Sequence, residues 1–381
     1  YPDSDSQVIE IWLESLREIA KTNMALHMAD PLRLSCTDQS TDLPDLLESY
    51  LSESTQLVIL LTPNKESKTV YQIFKKVTCT RLPCITQVVK SETIRKRQSI
   101  AAVLGRIVMQ LSAKYLGPLW SIDLATVATA PAMQAPTMVI GIDVYTSVEN
   151  GTTEFYIGFA ASLDAGCSEY FSIAARVDGP SDMSVKIQTF LKTAMDHFDQ
   201  RNSSLLPEHF IVYRASVKQD RWAEIRDTEI VAIQNVLQEM QGTIFSDYCP
   251  KLTFIAISKR LRIRFFQPPH LNNECRNPEP GTIIDSPMIT DKAFVNFYLV
   301  SQAVGKGTSL PSHYVVLFDS ARTPATALQS LTYRLCFLYF NSHCSIRLPA
   351  PAQYAKKIAH LVGSALHIAP DPQLQCCFFY L

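Results

Sequence analysis

The sequence predicts a mixed α/β protein in two parts, on three observations. In the first third of the chain, short continuous apolar runs of strand length alternate with longer segments of helical period. A stretch rich in Ala, Thr, Pro and Gln, "SIDLATVATAPAMQAP" at 121–136, breaks that rhythm and reads as a linker. Beyond it, three strand-like runs follow one another through Gly-containing turns before helices resume.

The elements follow in order. "TQLVILLT" (55–62) is an apolar run of strand length, broken by Pro63-Asn64. "SKTVYQIFKKV" (67–77) reads as a helix with Val70, Ile73, Phe74 and Val77 on one stripe. "PCITQVVK" (83–90) is a second strand, and a long helical pattern runs from Glu92 to Lys114, with Ile94, Ile100, Leu104, Ile107, Val108 and Leu111 inward. Strand, helix, strand, helix is a Rossmann-like unit. In the second part "TMVIGIDVY" (137–145), "EFYIGFAASL" (154–163) and "EYFSIAAR" (169–176) form an antiparallel meander. A helix (181–198), the strand "HFIVYRA", a helix (223–241) and a basic strand "KLTFIAISKRLRIRFF" (251–266) come next. That is the element order of an RNase H-like fold. The expected divisions are a linker or the start of the first domain over 1–54, the first domain over 55–125 and a second over 126–381.

Length and composition bound the function. The 381 residues are 47% hydrophobic, enough for conventional cores. The longest apolar runs, such as "LVILL" at 57–61, fall far short of the roughly 18 to 20 residues that cross a bilayer. The opening "YPDSDSQ" has no initiator Met, basic region or apolar leader, so a piece of a longer chain is expected. Ten scattered cysteines, including Cys79, Cys84 and the adjacent Cys376 and Cys377, match neither a zinc frame nor a disulfide scaffold. Structural thiols in a reducing compartment, cytoplasm or nucleus, are expected. The net charge of −1 hides an asymmetry: residues 1–50 carry ten acidic side chains against three basic, whereas 65–114 carry eleven Lys/Arg against Glu66 and Glu92. The second window is a candidate anion-binding face, although a charge run is also what a solvated surface looks like.

Two groups of residues carry chemistry. Tyr71 and Lys75 stand four apart on one helix, Gln110 and Lys114 do the same on another, and Gln87 lies at the end of the strand between them. Two ammonium groups, a phenol and two amides around helix ends suit a terminal phosphate, although amphipathic helices also carry Lys on their wet side. Asp143 inside "VIGIDVY" is the second group. A buried carboxylate needs compensation, and on an RNase H-like sheet it would be a metal ligand; a hydrogen-bonded structural Asp is the other reading. No GxGxxG or GxxxxGK[ST] follows the first strand, which disfavours a nucleotide-binding Rossmann enzyme.

Ordered blocks from about residue 55 onward resemble the MID and PIWI domains of the Argonaute family, and within it the PIWI clade. They are "YQIFKK", "RLPCITQVV" and "QLSAKYLGPLW" in the first part. In the second they are "VIGIDVY", "HFIVYR", "SKRLRIRFF", "NPEPGTIIDSPMIT", "FYLVSQAVGKGTSLPSHYVVLFD", "LQSLTYRLCFLYFNSHCSIRLPAPAQYA" and "FFYL". The resemblance implies a Rossmann-like MID domain followed by an RNase H-like PIWI domain. It implies that Tyr71, Lys75, Gln87 and Lys114 grip the 5′-phosphate of a small guide RNA. It further implies a Mg²⁺ in that pocket, held by Gln110 and the terminal carboxylate of Leu381. Partners would be guide RNA, target RNA and proteins of a silencing complex, with a monomer and no membrane.

The slicing members resemble one another in an Asp–Glu–Asp–His/Asp tetrad holding two metal ions. Asp143 matches the first position and Asp182 falls on the second, one methylene short. The third and fourth are Ala215 and Lys356. Losing one ligand and placing an ammonium at another should abolish two-metal cleavage. The alternative is a Mg²⁺-dependent, guide-directed RNA endonuclease with an atypical ligand set, for which Asp220 is a conceivable substitute. Lys356 would otherwise meet Asp143 or a target phosphate. Lys259, Arg260, Arg262 and Arg264 would give one strand a cationic face toward the RNA backbone.

Overall fold

The computed structural model describes residues 3–36, 42–52, 54–62, 67–95, 100–122, 135–149, 151–243, 248–268, 275–289 and 293–381. They form two compact units, Tyr1–Leu119 with Ser364–Leu381, and Trp120–Gly363. The boundary thus falls a few residues before the expected one at 125. Most of the expected linker lies outside the described residues.

The first unit is built on two parallel strands, β1 (Leu57–Thr62) and β2 (Ile85–Lys90), with Val58 opposite Thr86 and Ile59 opposite Gln87. The helices α1 (Asp3–Met24), α2 (Asp42–Tyr50), α3 (Ser67–Lys76), α4 (Ser91–Arg95) and α5 (Ile100–Leu116) complete it. The pattern read as one helix from Glu92 is thus α4 and α5, with 96–99 outside the described residues. The described residues of 1–54 belong to this unit, which favours the start of the first domain over a linker. Val8, Trp12, Leu16 and Ala20 recur every four residues, which puts them on one stripe of α1. Trp12, Leu16 and Ala20 are fully buried against Val89, Leu104 and Val108. The acidic composition hid that stripe. The tail is the other correction, because 364–381 packs with this unit rather than with the second. The amide of Asp371 donates to the Cys79 carbonyl at 2.8 Å, the Gln72 amide donates to the Ser364 carbonyl at 2.7 Å, and Phe378, Phe379 and Tyr380 are buried.

The second unit is an eight-stranded mixed sheet in the order β5-β4-β3-β6-β7-β10-β9-β8. Its strands are β3 (Thr137–Glu149), β4 (Thr152–Ser162), β5 (Tyr170–Val177), β6 (His209–Arg214), β7 (Lys251–Ser258), β8 (Thr282–Ile284), β9 (Asn296–Val300) and β10 (Ser312–Asp319). β3, β6 and β7 are mutually parallel, and the rest pair antiparallel. Each face of the sheet is covered. Ile140 and Ile142 of β3 join a core with Ile187, Phe190 and Leu191 of α6 (Pro180–Arg201) and Ile233, Val236 and Leu237 of α8 (Val231–Thr243). Leading into α8 are the short α7 (Trp222–Ile225) and a π-helical turn over Arg226–Ile230. The remaining helices are α9 (Ala325–Leu335) and α10 (Ala350–Leu361).

The alternation of a strand puts Gly141 and Asp143 on the face opposite Ile140 and Ile142. There α10 approaches so closely that a Cβ on Gly141 would lie 2.1 Å from the Pro351 carbonyl carbon, and one on Gly158 2.1 Å from the Ala355 oxygen. Gly158 is the cross-strand partner of Asp143, so α10 sits directly beside the carboxylate. Gly141→Ala should therefore lower unfolding stability by about 3 kcal/mol, the upper range for overpacking a core, read by chemical denaturation.

The basic strand expected over 251–266 ends at Ser258, where its ladder with β10 stops at the His313 pairing. The alternation survives without a ladder: Arg260, Arg262 and Arg264 are exposed while Leu261, Ile263 and Phe265 are half-buried. Phe265 packs edge-on to Tyr298 at 5.5 Å. The ten cysteines form no disulfide among the described residues. No described helix is long and apolar enough to cross a membrane.

Candidate functional site

In the first unit the expected phosphate residues converge on β2. The Lys75 ammonium, from the last turn of α3, donates to the Thr86 hydroxyl at 2.6 Å and to the Phe379 carbonyl at 3.3 Å. Lys114, from the last turn of α5, donates to the Thr86 carbonyl and to Gln87 Oε1, both at 2.9 Å. The Gln87 amide in turn donates to Gln110 Oε1 at 3.1 Å. Both ammonium groups are buried, each residue 4% exposed. An ammonium has three N–H donors, so each keeps one without a protein acceptor among the described residues. Tyr71, four residues before Lys75 on α3, has its phenol pushed up to about 12 by burial. The Cys79 thiol is within electrostatic reach of Tyr71, Lys75 and Lys114 alike, which ties the three to one pocket.

The charges do not balance. Burial lowers the Lys75 ammonium from its usual range, and among the described residues the groups that oppose this are the Cys79 and Cys84 thiols. Burial and then repulsion from Lys75 hold Lys114 well below its usual value. Two unpaired buried cations are costly unless an anion joins them. Because both values are depressed, the unfolded chain binds more protons than the folded one between those values and 10.5, so stability rises with pH across that window. Thermal melts taken below the thiol range, where the buried cysteines stay protonated in both states, should show this rise in the free chain. The rise should be missing from a Lys75→Met/Lys114→Met variant.

In the second unit Asp143 is 3% exposed, its Oδ1 accepting from the Val144 amide at 3.0 Å. The register pairs Ile142 with Arg214 across parallel strands, and the Ala215 amide continues the ladder by donating to the Ile142 carbonyl at 2.8 Å. Ala215, fully buried, thus stands level with Asp143 on the adjacent strand and on the same face. Arg214 points the other way and is fully engaged. Its Nε and Nη2 donate to the buried Glu229 carboxylate at 2.8 and 3.1 Å, and Nη1 donates to the Ala215 carbonyl at 2.9 Å.

The other expected positions are placed as follows. Asp182 sits in the first turn of α6, where its Oδ2 accepts from the Asp178 amide at 3.1 Å, a local helix-start contact. Asp220 lies exposed on a short 3₁₀ turn. Lys356 is exposed on α10, and the cation paired with Asp143 is Lys259, at 3.8 Å. Among the described residues no group of three His, Cys, Asp or Glu side chains could hold a metal ion.

Three participants escaped sequence reasoning. Thr86, whose hydroxyl and carbonyl serve both lysines, neighbours Gln87 but carries no charge to draw notice. The Phe379 carbonyl is backbone, and only tail packing brings it to Lys75. Lys259 reads from the sequence as part of a cationic stripe, and the available signal is that it directly follows the apolar run that ends at Ser258.

A family profile described as the Piwi domain matches residues 57–367. Along its full length the chain is 32% identical to Piwi-like protein 1 of Danio rerio, of which it covers 42%. It superposes on the crystal structure of Drosophila Piwi with a TM-score of 0.84 at 29% identity, covering 100% of this chain and 49% of that one. On Kluyveromyces polysporus Argonaute, solved with a guide RNA, the TM-score is 0.85 at 19% identity, again covering 100% and 49%. That last likeness is one of fold alone. The chain spans less than half the length of each of these relatives.

Proposed function

Because the chain belongs to the PIWI clade of the Argonaute family, we propose that its first unit anchors the 5′-phosphate of a small guide RNA, and that its second holds the guide paired to target RNA without cutting it. The observation that carries the anchoring is the pair of buried ammonium groups, Lys75 and Lys114, each with an N–H left for an acceptor and no Asp or Glu paired with them among the described residues. A terminal phosphate, with more than one negative charge, supplies what they lack. Tyr71 and Gln87 add directional donors from α3 and β2. The fold supports this reading, since a guide RNA occupies the similarly folded Kluyveromyces Argonaute.

A Mg²⁺ fits this pocket chemically. Gln110 Oε1, phosphate oxygens and, if the chain closes at Leu381, its terminal carboxylate would form an all-oxygen donor set suited to a hard cation. The Phe379 carbonyl, two residues before Leu381, accepts from Lys75, which supports that assignment. When bound, the ion would supply charge compensation between phosphate and carboxylate. Gln110 then orients through the amide of Gln87, and Lys75 and Lys114 hold the phosphate itself.

Absence of cutting rests on Ala215 and Lys356, which leave Asp143 paired with Lys259. Recruitment of silencing-complex proteins, rather than cleavage, would carry the output. The test is incubation with a 5′-phosphorylated guide, complementary RNA and Mg²⁺ or Mn²⁺. No product is expected. A product that disappears with Asp143→Ala would make the chain an endonuclease with an unorthodox site.

A further inference from the structure

The surroundings of Asp143 are cationic beyond what one carboxylate needs. Lys259, 19% exposed at its side chain, stands 3.8 Å from Asp143 Oδ2, an ion-pair distance too long for a hydrogen bond. Its ammonium therefore has no hydrogen-bond acceptor among the described residues. The charges of Lys356, Arg347 and Arg260 all bear on Lys259, so the lysine paired with the carboxylate belongs to a cluster of four cations. Arg347 fixes the backbone there, donating to the Lys259 carbonyl at 2.5 Å and the Pro311 carbonyl at 2.7 Å.

Lys356 is brought to this rim by the glycines. Ala355 lies over Gly158, the cross-strand partner of Asp143, and Lys356 follows it in α10. Its exposed ammonium has no hydrogen-bond or ion-pair partner among the described residues. Across the strand, the Ala215 methyl supplies no second carboxylate. A divalent cation would meet one carboxylate already paired with an ammonium that lies in a cationic cluster, whereas a phosphodiester oxygen would meet donors.

We propose that the cluster of Lys259 and Lys356 beside Asp143 is a metal-independent clamp for one backbone phosphate of the target RNA strand. This rests on the reading of the second unit as the surface that holds paired RNA. The clamp uses ammonium groups for a contact that a nuclease would make through metal ions. It would slow target release while leaving the phosphodiester intact, since no water is activated.

The experiment loads the chain with a 5′-phosphorylated guide carrying a label. It then follows release of complementary target RNAs, each with a single neutral methylphosphonate linkage, in Mg²⁺ and in EDTA. One target linkage should stand out, its neutralisation speeding release about tenfold, the value of a lost charged hydrogen bond. Lys356→Gln, an exposed change that should leave the fold intact, should speed release of unmodified target by a similar factor. The same variant should erase the effect of that linkage and reduce the salt dependence of target binding by about one charge. A flat series, a sensitive linkage in the guide instead, additive effects of variant and linkage, or an effect that needs Mg²⁺ would each overturn the clamp. The guide label reports the 5′ pocket separately. If guide is not retained, a pre-annealed duplex goes through the same comparison, and duplex release unaffected by Lys356→Gln likewise refutes the clamp.

Discussion

Lys114→Met should make the free chain more stable and a poorer guide binder at once. Methionine matches the length of the lysine stem, so packing is kept while the buried, repelled charge is removed. Replacing buried charges by apolar groups of similar volume is often stabilising by about 1–4 kcal/mol, and the lower end is expected here because two hydrogen bonds are also lost. Affinity for a 5′-phosphorylated guide should fall about 100-fold, as expected for loss of a strong charge-assisted contact in a low-dielectric pocket. Affinity for the same RNA with a 5′-hydroxyl should barely change, because the missing charge is then on the ligand side too. Denaturation curves and equilibrium binding with both RNAs measure the two signs. A drop in stability with unchanged discrimination between the RNAs would mean that Lys114 is only a structural residue bonding the Thr86 and Gln87 oxygens.

Ala215→Asp with Lys356→His should convert the second unit into a metal-responsive site. The new carboxylate would stand level with Asp143 on a strand about 4.8 Å away. Two buried carboxylates would share Lys259 as their one ion-pair partner among the described residues, so the free double variant should lose about 2–4 kcal/mol of stability, the cost of a poorly compensated buried charge. Mn²⁺ or Mg²⁺ should restore much of that loss, whereas the unaltered chain should show no such response through this site. Cutting of guide-paired target should return only in part. Asp182 is short for its position, and its carboxylate already receives the Asp178 amide at the start of α6. Melting temperatures with and without metal would decide the first half: a double variant indifferent to Mn²⁺ means that Asp143 and residue 215 do not face one another. Full cutting activity would mean that the rest of the site had been kept ready.

The elements most legible in the sequence were those whose residues report on themselves. Runs of strand-forming apolar and aromatic residues marked β1 and β6, and in β6 every residue is buried, since a strand covered on both faces needs no alternation. Helical spacing marked α3, α5 and α6 for the converse reason, since one wet face leaves a period. α1 was passed over because its acidic residues dominated its composition while Trp12, Leu16 and Ala20 kept the stripe. Among site residues, Tyr71 with Lys75 and Gln110 with Lys114 were readable as pairs because a helix brings residues four apart together by itself.

The sequence by itself determined the kinds of groups available: basic and amide side chains for a phosphate, an Asp in an apolar strand, and Ala215 and Lys356 where metal ligands would be needed. Spacing within single helices and strands set how those groups pair locally, since local geometry is fixed by a few backbone angles. Which groups compensate one another was decided only by the tertiary structure. The Phe379 carbonyl on Lys75 joins residues 304 apart in sequence. Lys259, rather than Lys356, stands against Asp143, because parallel β3, β6 and β7 align their ends while α10 rests on Gly141 and Gly158. Charge acts through space at a few ångströms, and those distances come from sheet register and close packing, which no single segment of the chain contains.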